Sequence, residues 1–131
     1  MLSPRGLLLA GSLCSLCAVI LGAWGAHGLE AYLGQDDTSA WETAVQYQFF
    51  HGLTLLLLGV WLQGNPHLSR SVGLIGWLLI LGVLLFSGSI YGLTLGWGSW
   101  LGPITPLGGS CFIIAWGGLC YCAWRTPAHR A

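Results

Sequence analysis

Four apolar runs, each long enough to cross a bilayer, leave this chain little choice of fold. A hydrocarbon core about 30 Å thick needs roughly 20 apolar residues per helix, and residues 7–26, 44–62, 72–95 and 107–124 meet that length. Runs such as Leu55-Leu56-Leu57-Leu58 lack the alternation of a transmembrane β-strand. No proline interrupts any span, and glycine is tolerated in membrane helices. The charge count closes the argument. Of 131 residues 55% are hydrophobic and only 6% are charged, against about 25% charged in soluble domains. Eight charges do not solvate a particle of this size, so a water-soluble enzyme is excluded. With no lysine and a formal net charge of zero there is no basic face for nucleic acid. The expected fold is an all-α membrane protein, with residues 1–131 forming one domain of four transmembrane helices in a compact bundle.

Every charge contributes to the expected orientation. Arg5, Arg70, Arg125 and Arg130 fall in the N-terminal stub, the second connection and the C-terminal stub. Glu30, Asp36, Asp37 and Glu42 all fall in the first connection. The positive-inside rule then places both termini in the cytoplasm and residues 30–42 outside. Arg5 ahead of an apolar run has the look of a secretory signal, but the run exceeds the 7–15 residues usual for a signal core. It reads as an uncleaved first span. Trp24, Trp41, Trp97 and Trp100 are expected at the outer boundary, with Trp61 and Trp124 at the inner one. Ser39 with Glu42 three residues on forms a capping-box pattern that starts the second helix above the membrane.

Lipid-embedded helices associate through small residues that let backbones approach. Helix one carries Gly11, Ser15, Ala18, Gly22 and Gly25, and helix four carries Gly108, Cys111, Ala115, Gly118 and Cys122. Gly88, Gly92 and Gly96 give helix three a similar edge. Such seams serve contacts within the chain and between copies equally well. The Cys14-Ser15-Leu16-Cys17 spacing suits a redox or metal pair, but it lies mid-helix, out of reach of a soluble thiol partner. The five cysteines read as packing residues.

Polar side chains within the spans carry the functional question, because buried polar groups are costly in lipid. Tyr47, His51 and Thr54 share one face of helix two with Gln48 at its edge, and Ser87, Tyr91 and Thr94 share a face of helix three. Thr105 begins helix four nearby, and His27 ends helix one. The candidate ligand-binding set is His27, Tyr47, Gln48, His51, Ser87, Tyr91 and Thr105, expected as a cluster in the outer leaflet. One reading is a site for a quinone, a lipid headgroup, or a haem or metal held by His27 and His51. The other is interhelical hydrogen bonding. A regular helix turns His27 away from the helix-one seam, which weighs against paired ligation. No catalytic residue and no resident cofactor or metal is assigned.

Four blocks in order resemble a known signature. They are Gly22-Ala23-Trp24-Gly25-Ala26-His27-Gly28-Leu29, Tyr47-Gln48-Phe49-Phe50-His51-Gly52-Leu53, Leu85-Phe86-Ser87-Gly88-Ser89-Ile90-Tyr91 and Gly102-Pro103-Ile104-Thr105-Pro106-Leu107-Gly108-Gly109. Together they resemble the domain of unknown function 423 family of small multi-span membrane proteins. The resemblance implies a bacterial inner-membrane protein with relatives among small eukaryotic transmembrane proteins. It implies no activity.

A transporter normally marks its path with charged residues inside the membrane, and these spans have none. The small multidrug-resistance exporters, also four-helix chains, carry an acidic residue in their first helix. Two classes remain. The favoured one is a structural, assembly or accessory subunit whose partners are the bilayer and a homo-oligomer or larger membrane complex. The alternative is a small-ligand subunit using the polar cluster.

Overall fold

The computed structural model describes residues 2–29 and 31–126, and the four expected spans are four long helices. They are α1 (Pro4–Trp24), α2 (Gln35–Gly64), α3 (Ser69–Thr94) and α4 (Ile104–Arg125). Among the described residues there is no strand. A π-helical turn, Gly25–Leu29, continues α1, and short 3₁₀ turns at Pro66–Leu68 and Ser99–Leu101 join the later helices. Arg130, His129 and Glu30 lie outside the described residues.

Each helix starts where its sequence supplies a partner for the free N–H groups. Ser3 caps α1, its hydroxyl accepting from the Gly6 amide at 3.1 Å, and Pro4 gives up no hydrogen bond at the first position. The capping box expected at Ser39 and Glu42 does not form. Instead α2 begins at Gln35, one turn earlier, with Gly34 at the N-cap and Asp36 and Asp37 in the first turn, where the helix dipole favours carboxylates. The loop before α4 turns through Gly96 (φ 76°) and Gly98 (φ 131°), a backbone region that favours glycine. Pro103 and Pro106 then fall at the start of α4, where no intrahelical donor is lost.

The helices pack in sequence order, α1 on α2, α2 on α3 and α3 on α4, with the two central helices more buried than the flanking pair. The small-residue seams of α1 and α4 are spent inside the chain. A Cβ on Gly11 would lie 2.7 Å from the Gly52 carbonyl oxygen, and one on Gly52 would lie 2.6 Å from Ser15 Oγ. A Cβ on Gly108 would collide with the Phe86 backbone, 2.8 Å from its Cα. Gly22 and Gly118 are looser, each 3.2 Å from a side-chain carbon of Val45 or Ile75. Of the edge expected on α3, only Gly92 is packed within the chain, against Leu101 and Trp97. Gly88 and Gly96 meet nothing within 4 Å, whereas Gly76 and Gly82 receive Leu7 and the ring of Phe112.

These contacts fix the register. The start of α1 lies beside the end of α2 and the start of α3, since Gly59 meets Leu8 and Gly76 meets Leu7. The end of α4 joins them, with Cys122 and Val72 in the same core. Arg5, Arg70 and Arg125 therefore share one end of the bundle. Asp36, Asp37 and Glu42 occupy the other.

Candidate functional site

The polar residues of α2 and α3 come together. His51 is 16 residues into α2, about 24 Å along its axis, and its neighbour Gly52 meets Gly11 and Ser15 in the middle of α1. The cluster thus runs from mid-bundle at Gln48 and His51 toward the acidic end, where Tyr91 lies near the end of α3 and Thr105 at the start of α4.

Gln48 is the hub on one face of α2. Its Nε2 donates to the Cys14 carbonyl of α1 at 3.0 Å, and its Oε1 accepts from the Tyr91 hydroxyl of α3 at 2.9 Å. The Cys14 thiol donates back to the Gln48 carbonyl at 3.4 Å. One amide side chain, 6% exposed, thereby ties three helices. One turn earlier, Ser87 Oγ donates to the Ala44 carbonyl at 2.7 Å, fastening α3 to α2 again. Ser89 and Thr105 share a hydroxyl hydrogen bond of 2.6 Å between α3 and the start of α4.

His51 looks toward α4 instead. Its Nδ1 is 2.6 Å from the Tyr47 carbonyl, which only accepts, so the proton is assigned to Nδ1. Nε2 is left as an acceptor and takes the Trp116 indole N–H at 3.2 Å. The imidazole lies flat on Phe112, centroids 3.7 Å apart and planes within 6°. Tyr47 stacks on Phe86 at 4.5 Å, part of the same aromatic group. Both ring nitrogens and one ring face of His51 are therefore engaged.

Of the seven candidate residues, Gln48 and Tyr91 bond to each other, with Ser87 nearby. Tyr47 and His51 belong to the aromatic group, and Thr105 pairs with Ser89. His27 joins none of them. It is exposed on the π-helical turn, where Gly25 abuts Trp41, ten residues or about 15 Å up α2 from His51. The two histidines do not face one another, and among the described residues no three His, Cys, Asp or Glu side chains converge as metal ligands.

Sequence reasoning missed four partners. Trp116, Phe112 and Phe86 enclose His51 and Tyr47, and none of the three was singled out. Trp41, expected at the outer boundary, lies toward that end of the bundle but is only 2% exposed. Its indole N–H donates to the Leu21 carbonyl at 3.0 Å, and its ring lies 4.5 Å from that of Tyr91. The glycine opposite it was the available signal: a Cβ at Gly25 would be 2.5 Å from the Trp41 indole nitrogen.

A groove of about 310 Å³ opens beside Gln48, lined by Cys14, Cys17, Leu55, Val83 and Leu84 among others. It lies where α1 and α3 diverge above their contact at Leu7 and Gly76. Its walls are almost wholly apolar.

The comparisons with known proteins fit this arrangement. Residues 21–109 match the family model described as protein of unknown function DUF423. The chain belongs to that family. The matched region contains the π-helical turn, Gln48, His51, Ser87, Tyr91 and Thr105. The chain is 49% identical over 109 residues to a UPF0382 membrane protein of Staphylococcus haemolyticus, covering 83% of this chain and 87% of the relative. It is 44% identical over 109 residues to a UPF0382 membrane protein of Bacillus subtilis, covering 83% and 88%. No solved structure matches it. This DUF423 member is an integral membrane protein with four spans, as its blocks and apolar runs implied.

Proposed function

We propose that this DUF423 protein is a structural or assembly subunit of the bacterial inner membrane, working through its outer helix faces rather than through chemistry. The observation that carries this reading is the closure of the polar cluster. His51, Ser87 and Tyr91 spend their polar atoms on neighbouring helices or on the backbone. The spans also lack Asp, Glu, Lys and Arg in their cores, which weighs against a transport path. The flanking faces of α1 and α4 present Leu13, Leu16, Ile20, Ile113 and Ile114 outward, surfaces suited to lipid, a second copy or a larger complex. The separated charges support an orientation with both termini in the cytoplasm and residues 30–42 outside.

The test is extraction in mild detergent followed by co-purification. Recovery of the chain in a stoichiometric assembly, its own copies or another membrane protein, is expected. Recovery as a monomer carrying a bound chromophore or quinone would refute the reading.

A second reading has one observation in its favour. Gln48 has two amide hydrogens, only one of which goes to Cys14, and the side chain lines the groove between α1 and α3. An isoprenoid quinone presenting a carbonyl there would find a donor. Quinone in the organic extract of the purified protein, lost in Gln48→Leu, would favour it.

A further inference from the structure

A second groove runs down the other side of the α1–α2 pair, and its chemistry changes along its length. The upper part, about 180 Å³, is lined by Thr38, Glu42 and Gln46 of α2. It shares Gly22, Val45 and Gln46 with a lower part of about 320 Å³ that ends at Ala18, Phe49 and Phe50. A polar depression holding Ser39, Thr38 and Glu42 adjoins the top. The trough exists because α1 and the turn after it offer mostly small residues on this face, Ala18, Gly22, Ala23, Gly25 and Ala26 beside Val19, while Phe49 and Phe50 of α2 form a wall.

From Thr38 to Phe50 the groove spans 12 residues of α2, about 18 Å. Half of a hydrocarbon core of about 30 Å is roughly 15 Å. The groove therefore runs from an interface to the bilayer centre, with water-facing polar groups at the top and hydrocarbon walls below. That gradient is the profile of one leaflet's lipid.

Charge selects among lipids. Asp36, Asp37 and Glu42 lie at this end, while Arg5, Arg70 and Arg125 lie at the other. His27 is the only basic side chain at this end among the described residues. A net-anionic headgroup is repelled here. A zwitterionic headgroup with a primary amine fits, its ammonium on Glu42 and its phosphate one turn deeper on the exposed amide of Gln46. We infer that the α1–α2 groove is a binding site for a phosphatidylethanolamine-type phospholipid, headgroup at Glu42 and acyl chain along Gly22 and Ala23. The inference is independent of the assembly role proposed above.

The experiment is native mass spectrometry of the full-length protein released from vesicles of equimolar dioleoyl-phosphatidylethanolamine and dioleoyl-phosphatidylglycerol. The parent is expected to retain the ethanolamine lipid over the glycerol lipid by roughly fivefold or more, the weight of one charge at a membrane surface. Glu42→Gln brings the ratio toward one, and Ala23→Trp, which fills the trough from an exposed position, removes most of the adduct. Gly117→Trp, placed where nothing lies within 4 Å, leaves it intact and serves as the folding control. Equal retention of both lipids by the parent, an adduct that survives Ala23→Trp, or a lipid-free dimer mass showing a second copy in the groove would each overturn the assignment.

Discussion

Replacing His51 separates a structural histidine from a chemical one, and the structure sets the size of each effect. The ring contributes a stack on Phe112, worth about 0.5–1.5 kcal/mol for an aromatic pair. It also accepts from Trp116, a membrane hydrogen bond averaging about 0.6 and reaching about 1.7 kcal/mol. His51→Ala loses both and leaves a void against Phe112, so a cost of about 2–4 kcal/mol is expected. His51→Phe keeps the stack and loses the Nε2 acceptor for Trp116 and the Nδ1 donor to the Tyr47 carbonyl, at about 1–2 kcal/mol. His51→Gln keeps an acceptor and loses the stack, at a similar cost. The assay is reversible unfolding in mixed micelles by titration with denaturing detergent, scored with growth or assembly in cells. The order Ala far below Phe and Gln, with Phe and Gln retaining the cellular phenotype, is the expected result. If Phe and Gln abolished the phenotype while staying folded, His51 would be doing something other than packing. If all three variants were as stable as the parent, the ring would not be held as described.

The close approaches of glycine predict an order of damage: Gly11→Leu and Gly108→Leu, facing backbone, lower stability by more than the roughly 1–3 kcal/mol typical of overpacking, while Gly22→Leu and Gly118→Leu cost less and Gly88→Leu is neutral by thermal melting in detergent. Ser15 Oγ is buried without a hydrogen-bond partner, so Ser15→Ala is expected to be neutral or stabilising by about 1 kcal/mol in the same assay. On a cysteine-free background, Asp36→Cys is expected to react with an impermeant thiol reagent from outside the cell, and labelling only after the cytoplasmic face is opened would reverse the orientation.

What the sequence could reveal followed from periodicity and from the cost of burial. Four apolar runs dictate four helices, and the seams on α1 and α4 mark which faces pack, since backbones approach only where side chains are small. Gln48, His51, Ser87 and Tyr91 stood out because polar atoms inside a membrane require partners. Their partners were less legible. Cys14 is used through its backbone carbonyl, which any residue possesses, and Trp116 meets His51 from 65 positions away. The start of α2 was less legible, because it depends on Gly34 and the acidic first turn rather than on the more conspicuous Ser39 and Glu42 pair. On α3 glycine spacing alone did not say which side of the helix meets a neighbour in the chain: Gly88 faces outward, while Gly82 faces Phe112 and Gly92 faces Leu101.

The central claim is that the polar cluster joins helices, and the link between Gln48 and Tyr91 tests it most directly. A double-mutant cycle of Gln48→Leu and Tyr91→Phe, read as unfolding free energy in mixed micelles, isolates the hydrogen bond between them. A favourable coupling of about 0.6–1.7 kcal/mol is expected, the range of interhelical hydrogen bonds in membranes. Strict additivity of the two changes would contradict the account.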